Sequence, residues 1–179
     1  MKETTKQGIV IVWFKRDLRF TDHEALYYAQ KQKLPILLMY CFEPSVMSFD
    51  DSDVRHWRFV YQSLKDMQSK LADLNTHIAI FHQEAAFVFE EIQKNYLIKT
   101  IFSHQEIGNK ITFDRDLKLK QFCLKHQIQW NEYQHNGVVR RLKSRKIWEK
   151  LWKQKMEETP KFVAEDNWNF LAFDTDIYR

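Results

Sequence analysis

Short apolar runs in this sequence end in residues able to bind or polarise a ligand. Lys15, Arg16 and Asp17 follow residues 9–14, Glu43 and Pro44 follow 35–42, and His104, Gln105 and Glu106 follow 99–103. Gln83 stands in the same place after 77–82. Lys15 and Arg16 set beside Glu43 and Glu106 would form a charged rim able to orient a polar, planar ligand. An equally weighted reading is that Arg16 pairs with Asp17, and Arg19 with Asp22, only to lock the loop. Other chemistry is poorly supplied. The seven histidines and two cysteines show no His-x-x-His or Cys-x-x-Cys spacing, so no cluster offers the three or four ligands of a zinc site and none is expected. His77 and His82, five apart on one strand, should point to opposite faces. Ser103 and His104 are adjacent on a strand end, where side chains diverge, so they cannot work as nucleophile and base.

Glycine excludes whole classes. Gly8, Gly108 and Gly137 are the only three. They cannot compose the Gly-rich dinucleotide turn, the phosphate loop of NTPases or the nucleophile elbow of serine hydrolases.

Charge is unevenly placed. Residues 140–155 hold eight Lys/Arg against Glu149, whereas 157–179 hold six acids against two bases. The first 139 residues are close to neutral, so the pattern marks an organisational boundary near Gly137. Arg140, Arg141, Lys143, Arg145 and Lys146 could neutralise phosphates. A solvated face, or a docking surface for an acidic partner domain, is preferred, because the nearby Trp148 and Trp152 are expected to be buried.

The elements that must position these residues follow from periodicity. Buried strands are predicted at 9–14, 35–42, 77–82, 99–103 and 128–133. Helices are predicted at 22–33, 53–74, 85–96 and 111–126. The first opens on Thr21, three residues before Glu24, a capping-box spacing. In the second, Val54, Trp57, Val60, Leu64, Met67, Leu71 and Leu74 step by three and four, which reads as a core stripe rather than a ligand box. Trp148, Leu151, Trp152 and Met156 fit a fifth helix, which Thr159-Pro160 ends. Strict alternation predicts an α/β fold: a five-stranded parallel sheet with helices on both faces, Rossmann-like but without a Gly-rich loop. Ligands of such sheets bind at the carboxyl ends of the strands, where strand order reverses. The aromatic-rich end of the chain (Phe162, Trp168, Phe170, Leu171, Phe173, Tyr178) has no clear period and is expected to need a partner domain for burial.

Size and composition agree with one α/β body. The chain has 179 residues, 44% hydrophobic and 29% charged, which suits a globular domain rather than a disordered one. Its longest apolar run, 34–42, is too short for a bilayer, and residues 9–14 run into Lys15-Arg16-Asp17 without a cleavage site, so neither membrane insertion nor secretion is expected. Cys41 and Cys123 form no disulfide framework, which favours a reducing, cytoplasmic setting.

The wording of the first strand and turn carries the reading further. Trp13-Phe14-Lys15-Arg16-Asp17-Leu18-Arg19-Phe20-Thr21-Asp22-His23-Glu24-Ala25-Leu26 closely resembles the opening motif of the DNA photolyase and cryptochrome family, WFRRDLRLxDNxAL. The resemblance continues in order through Cys41-Phe42-Glu43-Pro44, residues 55–59, His104-Gln105-Glu106-Ile107-Gly108-Asn109, Asp114-Arg115-Asp116, Gly137-Val138-Val139-Arg140-Arg141, Trp148 and Trp152. It covers about the first 160 residues.

That resemblance implies an N-terminal antenna-type domain at 1–136, followed at 137–179 by a basic helix and interdomain linker. It also implies that the family's FAD-binding helical domain lies outside this chain. It implies an antenna chromophore, and the strand-end rule places that chromophore over strands one, two and four, touching Lys15, Arg16, Phe42, Glu43, Gln105 and Glu106. Lys15 replaces the usual arginine, and the stretch from Glu106 to Arg115-Asp116 is longer than in folate-binding members; that second departure leaves methenyltetrahydrofolate, a deazaflavin and a flavin open. The full-length protein would be a flavoprotein, either a light-driven lyase repairing pyrimidine dimers in damaged DNA through its C-terminal FAD domain or a blue-light receptor. This chain alone would not be catalytic. The rival reading is a stand-alone adenine-nucleotide-binding domain of the universal-stress or electron-transfer-flavoprotein type.

Overall fold

The computed structural model describes residues 6–164 and 168–174. Strands β1 (Gly8–Phe14), β2 (Ile36–Cys41), β3 (Ala79–Phe81), β4 (Leu97–His104) and β5 (Gln129–Tyr133) form one sheet in the order β3-β2-β1-β4-β5. All four pairings are parallel. The chain winds from β1 outward through β2 to β3, then crosses back to place β4 on the other side of β1. Strand order therefore reverses between β1 and β4.

Both faces of the central strands are covered, as apolar runs without polar alternation require. Ile9, Ile11, Trp13, Leu37 and Met39 pack toward α4 (Ala85–Asn95) and α5 (Lys110–His126), meeting Val88, Phe89, Leu119 and Phe122. The alternate residues Val10, Val12, Phe14, Leu38 and Tyr40 meet Ala25, Leu26 and Ala29 of α1 (Glu24–Gln30) and Leu64, Met67 and Leu71 of α3 (Val54–Leu71). The period-2 direction of strand side chains thus divides one run into two cores.

Local differences from the sequence reading have identifiable causes. α1 begins at Glu24 and is capped by His23, whose Nδ1 accepts the Leu26 N–H at 3.1 Å. The expected Thr21 capping box does not form, because Asp22 turns the chain with φ 49° and makes His23 the cap. A one-turn helix, α2 (Pro44–Met47), was not expected; Glu84 holds Ser45 there through both its N–H and its hydroxyl. β3 pairs only at Ala79–Phe81, so His77 and His82 lie outside the strand, and the strand's alternation does not set their directions.

The aromatic tail is a clear correction. Residues 168–173 find their burial within this chain, along the stretch of β2 that short β3 leaves free, whereas Phe162 stays 65% exposed. Ile36 donates its N–H to Asn169 O at 2.8 Å, and Leu171 donates to Ile36 O at 2.9 Å. Leu171 and Phe173 are buried in one core, while Trp168 and Phe170 stack and pack against the other. Tyr178 lies outside the described residues. No helix among the described residues is long and apolar enough to cross a membrane, and both cysteines are buried and free.

Candidate functional site

The β1–α1 loop leaves the sheet at the reversal point, and its first three residues take different routes. Lys15 turns inward. Its Nζ lies 3.9 Å from both Asp116 Oδ2 and Glu132 Oε1, and 4.7 Å from the centroid of the Trp13 ring, without a hydrogen-bond partner among the described residues. Burial lowers its pKa, aided by Arg115 and opposed by Asp116 and Glu132. Arg16 turns outward, and its Nε donates to Glu106 Oε1 at 2.9 Å. Asp17 turns to the opposite side of the loop and takes no part in the site.

Arg115, on α5, organises the carboxylates. Its Nη1 donates to Glu43 Oε2 at 2.7 Å, and its Nη2 to Glu106 Oε2 at 2.6 Å and Asp116 Oδ1 at 2.8 Å. The guanidinium also lies over the Trp13 ring, 4.7 Å from its centroid. Such forked, charge-assisted bonds fix geometry as well as charge. Burial pushes the Glu43 carboxyl up despite Arg115. Burial acts the same way on Glu106, but there Arg115, Lys15 and Arg16 together outweigh it and hold that carboxyl below its usual range. Arg115 is itself made harder to deprotonate: burial opposes its charge, but Glu43, Glu106 and Asp116 favour it more strongly. Arg140 extends the network to Glu132 and to Asp116, at 3.0 and 3.5 Å.

Above this floor opens a cleft of about 590 Å³. Tyr40, Trp57, Phe59 and Val60 give it apolar surface, and Arg16, Arg55 and His56 add polar groups. That volume falls in the range of small-molecule and cofactor sites, roughly 300–1,000 Å³. Aromatic walls over carboxylates already paired with Arg115 suit a planar heterocycle, which gains from stacking and needs few new ion pairs.

Lys15, Arg16, Glu43 and Glu106 line the cleft together. Phe42 and Gln105 are not part of its lining. Phe42 packs behind it against Tyr40 and Trp57, at centroid distances of 5.0 and 6.1 Å, and Gln105 donates its N–H to Tyr133 O at 2.7 Å. Sequence reasoning assigned Trp57 to the core; only Leu64, Met67 and Leu71 of that stripe are fully buried, and its N-terminal half rises past the sheet to wall the cleft. Arg115 stood in the motif resemblance without a role. The signal was the count of acids after strands, which required an internal cation.

The loop-locking alternative also changes partners. Arg16 does not pair with Asp17, and Arg19 meets the Asp22 backbone carbonyl rather than its carboxylate. Asp17 Oδ1 accepts the Lys15 N–H at 2.8 Å, while Oδ2 lies 2.6 Å from His104 Nδ1 and 2.8 Å from His23 Nε2. Asp17, His23 and His104 are buried, with their ligand atoms all within 4.8 Å of one another. Spacing rules missed this trio because residues 17 and 104 meet only through the β1–β4 pairing. It is built as a lock rather than a metal centre. The Leu26 N–H fixes the lone pair of His23 on Nδ1, which leaves the proton on Nε2, the nitrogen a metal would need. Burial opposes the Asp17 charge, but the two imidazoles hold its carboxyl well below the usual range. Burial likewise lowers His104, against the pull of Asp17.

The expected burial of Trp148 and Trp152 is also corrected: they are 39% and 41% exposed on α6 (Trp148–Met156). Trp148 Nε1 donates to Gly137 O at 3.0 Å, and Trp152 lies so close to Gly137 that a Cβ there would come within 2.3 Å of the indole.

Comparison with known proteins decides what kind of chain carries this site. The family model described as DNA photolyase matches residues 10–150. The chain belongs to this family. Among family relatives, the cryptochrome DASH of Synechocystis sp. (strain ATCC 27184 / PCC 6803 / Kazusa) is 31% identical over 121 residues, which is 64% of this chain and 24% of the relative. The chloroplastic/mitochondrial cryptochrome DASH of Arabidopsis thaliana is 26% identical over 106 residues, 56% of this chain and 19% of the relative. The chain thus spans a quarter or less of the length of these curated relatives. The crystal structure of the Synechocystis sp. PCC6803 cryptochrome matches with a TM-score of 0.66 and 25% identity, over 76% of this chain and 29% of that one. A bacterial class III photolyase from Agrobacterium tumefaciens matches in fold, with a TM-score of 0.66 and 17% identity, over 100% of this chain and 39% of that one. This is an N-terminal α/β domain of the photolyase/cryptochrome family, and that membership sets aside the stand-alone nucleotide-binding reading.

Proposed function

We propose that this chain binds an antenna chromophore in the cleft over the carboxyl ends of β1 and β2, walled by α3 and bounded by Glu106 from the loop after β4, and passes the energy it absorbs to a flavin held by a following FAD domain of the same protein. The observation that carries the reading is the cleft itself, aromatic-walled over a floor of charges neutralised by Arg115. An archaeal photolyase from Sulfolobus tokodaii, alike in fold, with a TM-score of 0.66 and 18% identity over 93% of this chain and 38% of that one, is described as holding two FAD molecules and implying a novel light-harvesting cofactor. The chromophore would supply absorption. The chain's part is to stack and orient it with Tyr40, Trp57 and Phe59, and to meet its polar edge with Arg16, Glu43, Glu106 and Lys15. In the longer protein the work would be light-driven repair of pyrimidine dimers in DNA. Residues 1–136 would form the antenna body and 137–179 the basic helix and connection to the FAD domain.

Titration of the purified chain with methenyltetrahydrofolate, FMN and 8-hydroxy-5-deazaflavin, read by absorbance and fluorescence, tests this. One of them should bind stoichiometrically and place its ring against Trp57. Failure of all three, or a bound structure with the ligand at the amino ends of the strands, overturns the reading.

A further inference from the structure

We infer that residues 141–150 form a preset contact surface for the phosphate backbone of nucleic acid, separate from the cleft. Cations bind the two ends of this segment to the α/β body. At one end Arg140 is engaged by Glu132 and Asp116; at the other, Lys155 reaches Glu24 at 2.9 Å and Glu158 at 2.7 Å. Between these anchors, Arg141, Lys143, Arg145, Lys146 and Lys150 are all exposed, and none has an ion-pair partner among the described residues. The only acid within the span is Glu149.

Three features favour nucleic acid over an acidic protein. The first is density: five unneutralised cations within ten residues match a polymer that carries a negative charge about every 1.7 Å of duplex, a density a folded acidic surface rarely reaches. The second is preorganisation, because Gly137 and the two anchors hold α6 in place and reduce the ordering cost of binding. The third is the exposure of Trp148 and Trp152, whose rings stand 6.2 Å apart beside the cations. Cations interleaved with open aromatic faces are the usual equipment for holding nucleic acid. The expected burial of those rings was the ground for preferring an acidic partner, and the structure removes it.

The test measures binding of the 179-residue chain to a fluorescent 20-nucleotide single strand and to the matching undamaged duplex over a salt series. With all five cations engaged, the duplex log–log salt slope should approach about −4.5, so affinity falls by about 500-fold between 50 and 200 mM salt; for the single strand the slope should approach about −3.5. The combined variant Arg141→Gln, Lys143→Gln, Arg145→Gln, Lys146→Gln, Lys150→Gln should bind at least about tenfold more weakly at low salt. A charge-matched control changing the exposed Arg58, Lys65, Lys99, Lys118 and Lys125 to Gln should stay within about twofold of the parent. Trp148→Ala should weaken the single strand more than the duplex, because only unpaired bases offer a face to the ring, and no change in either form would overturn the part assigned to the rings. Equal loss in the two five-site variants, a slope near zero, or polyglutamate or phosphatidylserine vesicles competing as well as the oligonucleotide would overturn the inference. Chromophore titration of the same variant keeps this result distinct from that of the cleft.

Discussion

Arg16 and Asp17 are neighbours in one loop, yet they serve opposite designs. On the Arg16 side, a cation and its carboxylate partners face an open cleft, and charge is balanced through Arg115 so that a ligand can enter. On the Asp17 side, a buried carboxylate is enclosed by two imidazoles and the Lys15 amide, so the protein's own groups already take up its oxygens. The same strand end therefore carries a site and the lock that holds it. The contrast shows that buried charge becomes a binding floor only where its partners leave one face open; enclosed on all sides, it becomes structure.

The strongest way to break this contrast is Arg115→Met. It would strand Glu43, Glu106 and Asp116 without their shared cation, and removing one member of a buried ionic set costs about 3–5 kcal/mol. Thermal or urea unfolding measures the loss, and a change under about 1 kcal/mol would mean that the network is decorative. Asp17→Asn should come next, at about 1–3 kcal/mol, since two buried imidazoles and an amide lose their charged acceptor. Chromophore affinity, measured in protein still folded, should fall less than stability does.

Trp57→Ala is expected to act in the reverse sense. It should weaken the bound chromophore by about tenfold, equivalent to about 1.4 kcal/mol, with a smaller effect on the melting temperature, because the ring is only half-buried. Acid should then distinguish the lock from the cleft. His104 titrates below its ordinary value of 6.5 in the folded chain, so the unfolded chain binds more protons in that window. Stability should be full above about pH 6.5 and decline as pH falls through it, by at most about 1.4 kcal/mol per unit for this group. His104→Gln should flatten that decline in pH-dependent melts. The smallest effect belongs to Arg16→Gln. Its side chain is 61% exposed, so its bond to Glu106 should contribute under about 1 kcal/mol to stability, and the change should be felt mainly in chromophore binding.

Much of the architecture could be read before any coordinates. Apolar runs of strand length alternating with helical stripes dictated a parallel sheet, because strands buried on both faces cannot show polar alternation. The rule that ligands of such sheets gather at strand carboxyl ends then picked out Lys15, Arg16 and Glu106. Those are local properties, carried by consecutive residues. What only the tertiary structure decided depends on residues far apart in sequence: Arg115 reaching Glu43 across 72 positions, Asp17 meeting His104 across 87, Trp57 leaving the core for the cleft, and Leu171 lying beside Ile36. In each case the deciding quantity is which group satisfies a buried charge or a free strand edge. That depends on the crossing geometry of the sheet, and no run of neighbouring residues encodes it alone.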